Sequence, residues 1–156
     1  EAIPLFRKSL EMKREVYGPV HYEVALGLDS LASVLAESKD LDGAESNYRA
    51  AIEQQRKLLG DSHPDLGMAL NNLAFLLLRE GRQLEEAERL AQRASLVPGP
   101  DRYEALDTLA RVQLARGRCR EAQLTFAEAL AAEGVPEDAR AEIQSGLDDA
   151  RRSCAM

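Results

Sequence analysis

The chain has 156 residues, 45% of them hydrophobic and 30% charged, with no Trp and a formal net charge of −7. That acidity argues against nucleic acid or an anionic membrane as partner, since either is met by a cationic face. No apolar run approaches the roughly 20 residues that cross a bilayer, and Ala, Leu, Glu and Arg outweigh the β-branched residues, so the chain reads as all-α.

The opening stretch, EAIPLFRKSLEMKREV, predicts an amphipathic helix over 2–17 and not a signal peptide. With no initiator Met, the chain is expected to be a piece of a longer protein. Further helices are predicted over 21–38, 41–59, 64–80, 84–97, 101–116, 119–133 and 136–152. Asp61 or Ser62 is placed to cap the helix at 64, Pro64 sits in its first turn, and Asp65 complements the positive end of its dipole. Gly18, Gly60, Gly81, Gly117 and Gly134 each follow an apolar-periodic segment, as C-terminal stops do. The VPGPD stretch at 97–101 is too short for a domain linker, so one continuous array is expected.

The array repeats itself. Gly18 and Gly60, His21 and His63, and Leu31-Ala32 and Leu73-Ala74 are offset by about 42 residues. One helix of each pair carries Leu28, Leu31, Ala32 and Leu35, then Leu70, Leu73, Ala74 and Leu77, then Leu106, Leu109, Ala110 and Gln113. Its partner carries a small residue, Ala44, Ala87 or Ala122, with a ring four residues on at Tyr48 and Phe126. Alanine at a crossing lets antiparallel helices approach closely, and the ring fills the space beside it. No single pair can bury both apolar faces, so the pairs are expected to stack as a solenoid.

On these residues, and on AIPLFRKSLEMKREVYG, HPDLGMALNNLA and AESNYRAAIEQQRKLLG, the chain resembles the tetratricopeptide repeat (TPR) family. The first two units resemble the long variant of kinesin light chains and nephrocystin-like proteins. The resemblance implies a right-handed helical-hairpin solenoid of about three repeats plus a capping helix. Residues 1–18 would be the second helix of a truncated repeat, 19–60, 61–100 and 101–134 three repeats, and 135–156 the cap. The sequence departs from the pattern at Gln113, where an apolar residue is usual, at Ala91, which replaces the ring, and near Arg82, which reads as an insertion.

Chemistry is sparse. His21 and His63 sit at equivalent helix starts, on helices about 8–10 Å apart, too far for a two-ligand metal site without further partners. They read as helix-start residues, and no metal or cofactor is expected. The two cysteines do not make a disulfide framework. Cys119, between Arg118 and Arg120, takes the place of Leu41 and Leu84 and reads as a buried structural thiol. Cys154 reads as exposed in a frayed C-terminus. A reducing, cytoplasmic setting follows, and a thiol enzyme or sensor at Cys119 is a third-ranked alternative. There is no phosphate-cradling loop, and carboxylate pairs such as Glu85-Glu86 read as solvated faces, so no enzyme is expected.

The resemblance also implies that a second stripe on the first helix of each pair lines a concave groove for peptides. These residues are Leu26, Asp29, Ser30, Ser33 and Glu37; Met68, Asn71, Asn72, Phe75 and Arg79; and Glu104, Asp107, Thr108 and Arg111. An Asn both donates and accepts, so Asn71 and Asn72 could hold the backbone of an extended peptide. The alternative is a solvated face with local Asn-to-backbone bonds. Chaperone-clamping TPR domains use two Lys, an Arg and two Asn on such stripes. Asn72 matches, but Asp29, Ser33, Glu104 and Thr108 do not, so that function is excluded.

The expected function is a non-catalytic protein-interaction scaffold that binds a peptide segment of an unidentified protein partner. The lining has more carboxylates than guanidiniums, which favours a peptide with Lys or Arg near an apolar anchor and not the acidic segments that kinesin light chains favour. The alternative is a structural self-association module of a larger multidomain protein. Contact through the N-terminal edge helix, which carries Ile3, Phe6, Leu10 and Val16, would serve it.

Overall fold

Helix boundaries fall where the sequence punctuates the chain. The computed structural model describes residues 2–155, and among them are eight helices and no strand. These are α1 (Ala2–Tyr17), α2 (Tyr22–Glu37), α3 (Leu41–Leu59), α4 (Pro64–Glu80), α5 (Leu84–Leu96), α6 (Arg102–Ala115), α7 (Cys119–Ala131) and α8 (Glu137–Ala155). One expectation at a helix start is corrected. The cap of α4 is His63, not Asp61 or Ser62: its Nδ1 accepts the Asp65 backbone N–H at 3.3 Å. His21 does the same for α2, accepting from the Glu23 N–H at 3.2 Å. A ring nitrogen that accepts a bond satisfies one of the orphan donors at a helix start, and this explains why the histidines recur with the repeat.

Each helix packs on its neighbours in the chain, antiparallel, across small residues. Ala32, Ala44, Ala74, Ala87, Ala91, Ala110 and Ala122 are fully buried, with Tyr48 and Phe126 filling the space beside the first and last crossings. Ala91, where the ring is missing, packs directly with Ala74 and Leu109, and Leu90 packs against the same cluster. The polar Gln113 is buried at low cost because the Thr125 hydroxyl donates to its Oε1 at 2.8 Å. Beyond chain neighbours, α2 touches α4, α4 touches α6 and α6 touches α8, while α3, α5 and α7 share no such contact among the described residues. Helices on the inside of a bend lie closer than those outside, so the even-numbered helices form the inner row.

The outer helices are bridged by side chains instead. Arg49 on α3 grips Glu86 on α5 through two bonds of 2.7 and 3.0 Å, and Arg82, in the α4–α5 turn, reaches Glu45 at 2.8 Å. Glu88 on α5 is buried and meets Arg116 and Arg118 from the α6–α7 turn. Arg82 thus serves as a clasp between units, which gives its insertion a structural use.

At the C-terminal end the reading of the cysteines is overturned. Cys119 and Cys154 form a disulfide, with Cα atoms 5.5 Å apart and a sequence separation of 35. Helix α8 is longer than expected, running to Ala155, and folds back antiparallel on α7, which brings its last turn to the first turn of α7. Cys154 is therefore half-buried in a helix, not frayed, and neither thiol is free. The argument for a reducing compartment, and the thiol-chemistry alternative, fall with it. Gly146 allows the close approach: a Cβ there would stand 2.6 Å from Cζ of Phe126. Closing a loop of this length constrains the unfolded chain by about 2–4 kcal/mol. Reductant should lower the melting temperature, Cys154→Ser should lower it equally, and reductant should then have no further effect on that variant. Equal melting with and without reductant would show that the bridge does not hold α8.

Candidate functional site

The inner row presents one continuous face, and the structure distributes the expected lining residues over it unevenly. On α2, Leu26, Asp29 and Ser33 are half-buried, and Ser30 and Glu37 are exposed. The Ser30 hydroxyl donates to the Leu26 carbonyl, and the Ser33 hydroxyl to that of Asp29, with Tyr48 Oη 3.0 Å from Ser33 Oγ. These serines are occupied within their own unit. On α4, Met68 and Phe75 are 45% and 44% exposed, two turns apart on one side of the helix. Arg79, also exposed, lies with its guanidinium carbon 5.9 Å from the centre of the Phe75 ring.

The two asparagines part company. Asn72 Nδ2 reaches Asp29 Oδ1 at 3.5 Å, bridging α2 and α4. Asn71 is turned to the α6 side, only 8% exposed, and its Oδ1 is buried without a hydrogen-bond partner. On α6, Glu104 is exposed, Thr108 is buried, and Asp107 and Arg111 pair with each other at 2.7 Å. The other carboxylate oxygen of Asp107, Oδ1, is also buried and unpartnered.

Between α4, α6 and α8 the face deepens into a cleft of about 410 Å³, which holds Asn71, Asn72, Phe75, Glu104, Asp107 and Thr108. Sequence reasoning missed part of its wall: Tyr103 on α6, and Pro136, Asp138, Ala139, Glu142 and Ile143 at α8. The signal was available in the acidic first turn of α8, Glu137 and Asp138, but a capping helix implies no inner face. The local field is negative. Burial, the nearby charge of Glu104, its hydrogen bond to the phenol, and Asp101 and Asp138 together push the Tyr103 pKa above its ordinary value.

No group of three His, Cys, Asp or Glu among the described residues is placed to hold a metal, and no described helix is long and apolar enough to cross a membrane. At the N-terminal edge, Leu10 is buried against α2 and Ile3 packs on the core, so they do not form an open stripe with Phe6 and Val16 as expected. The exposed large apolar residues there are Leu5, Phe6, Met12, Val16 and Tyr17, of which Phe6 is the least exposed.

Asp29 carries an electrostatic cost. Burial raises its pKa, the Asn72 amide partly offsets this, and the charge of Asp65 adds to the rise. A carboxyl whose pKa is raised by folding holds its proton to higher pH than in the unfolded chain, so its ionisation weakens the fold as pH rises through that range. Asp29→Asn should therefore raise the melting temperature at pH 7, with a gain that shrinks as pH falls towards about 4, the ordinary carboxylate range. A gain that stays constant down to acid would show that the charge is not the cause.

The comparisons agree with this architecture. The family model for the tetratricopeptide repeat matches residues 23–95. Among solved structures, a Podosopora anserina protein of kinesin light chain type, with nearly identical TPR-like repeats, superposes with a TM-score of 0.82 at 20% identity over 99% of this chain and 78% of that one. A variant of the same protein gives 0.83 at 20% identity over 99% and 77%. BtubC (BKLC) of P. vanneervenii gives 0.69 at 19% identity, over 99% of this chain and 56% of that one. No curated protein matches the sequence. Residues 23–95 are thus tetratricopeptide repeats, and the chain as a whole has the kinesin-light-chain-like TPR solenoid fold.

Proposed function

We propose that this array is a non-catalytic scaffold whose inner row holds an extended segment of a partner protein. TPR arrays generally mediate protein–protein contact. The observation that carries the reading to this face is the pair Met68 and Phe75, large apolar side chains left open two turns apart beside a cleft lined with amide and carboxylate groups. Apolar anchors in a polar rim suit a peptide that buries one or two side chains and bonds its backbone to the rim. Asn72 is the backbone-holding candidate, because the hydrogen bond its Nδ2 donates to Asp29 Oδ1 is long, at 3.5 Å, and readily exchanged for one to a peptide carbonyl. The remaining lining, Leu26, Ser30, Ser33, Glu37, Arg79, Thr108 and Arg111, shapes the groove and sets its charge.

A second reading, self-association, is favoured by α1, where Leu5 and Val16 are 69% and 72% exposed. One experiment separates the two. A displayed library of random dodecapeptides would be selected against the full chain, and the best binder measured against variants. Each backbone bond contributes about 0.5–1.5 kcal/mol, and an apolar anchor about as much again or more. Asn72→Ala with Phe75→Ala should weaken binding at least about tenfold without lowering helicity. Leu124→Asp, on the exposed side of α7, should leave it unchanged. Binding lost in Val16→Asp and kept in the groove variant would instead place the working surface on α1.

A further inference from the structure

We infer that the α4–α6–α8 cleft is a receptor for an arginine side chain of the partner. The inference rests on the inner row being the working face, and adds what that face selects. Three observations converge. The cleft holds four carboxylates, Glu104 and Asp107 from α6 and Asp138 and Glu142 from α8, and none of its lining residues is cationic. Two acceptors at its wall, Asn71 Oδ1 and Asp107 Oδ1, are buried with no donor to meet them. Phe75, 44% exposed, offers apolar surface on the α4 side.

Buried acceptors without donors are costly, and here two of them, on different helices, belong to side chains that line one cleft. What they lack is N–H donors carried on a cation, with an apolar stem behind. A guanidinium supplies five donors in a fixed plane, enough to serve an amide oxygen and a carboxylate oxygen together. An ammonium has three donors around a point and a tighter hydration shell, so lysine is the weaker occupant. Asp107 is already oriented for the task, since its other oxygen is held by Arg111 at 2.7 Å. Arg111 is fixed in turn by the Glu142 backbone carbonyl at 3.4 Å, which couples the cleft to the seating of α8.

The test uses the full chain, isotope-labelled, titrated with the capped tripeptides Ala-Arg-Ala, Ala-Lys-Ala and Ala-Glu-Ala while amide shifts are followed. The arginine peptide should give saturable shifts at the Asn71 side-chain amide and at backbone amides of Asp107 and Glu142. The lysine peptide should bind several-fold more weakly and the glutamate peptide not at all. Asn71→Leu should abolish saturation without lowering the melting temperature, because it removes an acceptor that has no partner in the free protein; a merely structural Asn71 would lower it. Asp138→Asn with Glu142→Gln, two exposed positions, should weaken the arginine peptide about fivefold or more. Shifts scattered over the acidic surface, equal binding of lysine and arginine, or undiminished binding to Asn71→Leu would each overturn the assignment. The tripeptides report on the cleft alone, so saturation here with no dodecapeptide selected would spare the arginine site and remove the extended-peptide reading.

Discussion

Everything in this array follows from how closely two helices approach where an alanine meets its partner. A fully buried alanine on each side of a hairpin lets the backbones come together, and the leucines one turn either way interlock around the contact. Each hairpin then offers a second apolar face that only the next hairpin can cover, so the repeats stack along one direction. The stacking is uneven: the even-numbered helices touch in succession and the odd-numbered ones do not. A curved array with an inner face is the result, and that face exists only because the crossings are tight.

The outer row is held differently, and the contrast matters for function. Where helix backbones do not meet, ion pairs span the gap, from Arg49 to Glu86 and from Arg82 to Glu45. Exposed pairs of this kind contribute about 0–1 kcal/mol each and weaken with salt, so they orient the units more than they hold them. The inner face spends its polar groups otherwise. Asp29 is desolvated, and Asn71 and Asp107 keep acceptors with no donor. Such groups cost stability wherever they fall, and Gln54 and Gln55 on the outer helix α3 also keep unpartnered oxygens; those of Asn71 and Asp107 differ in belonging to side chains that line the cleft.

The helices were legible in the sequence because their signals are local. Glycine stops, the alanine and leucine spacing and the repeat offset set all eight helices to within a few residues. The burial of Leu70, Leu73, Ala74 and Leu77, and the exposure of Met68 and Phe75 on another side, follow from helical periodicity alone. What escaped depends on distant parts of the chain meeting. The disulfide needs the last turn of α8 to lie over the first turn of α7, and nothing local to either cysteine announces that. The cleft wall from Asp138 and Glu142 was missed for the same reason. The histidine caps lay between: their recurrence was visible, but choosing His63 over Asp61 or Ser62 required the backbone path.

The central claim, that close alanine crossings hold the array and shape its inner face, is tested most directly by enlarging one crossing. Ala74 is fully buried against Ala91 and Leu109, whereas Ala127 on α7 is exposed. Denaturant unfolding of Ala74→Leu should show a loss of about 1–3 kcal/mol from overpacking, with Ala127→Leu within about 0.5 kcal/mol of the parent. If both substitutions leave stability unchanged, or both lower it equally, the alanine contact does not govern this fold.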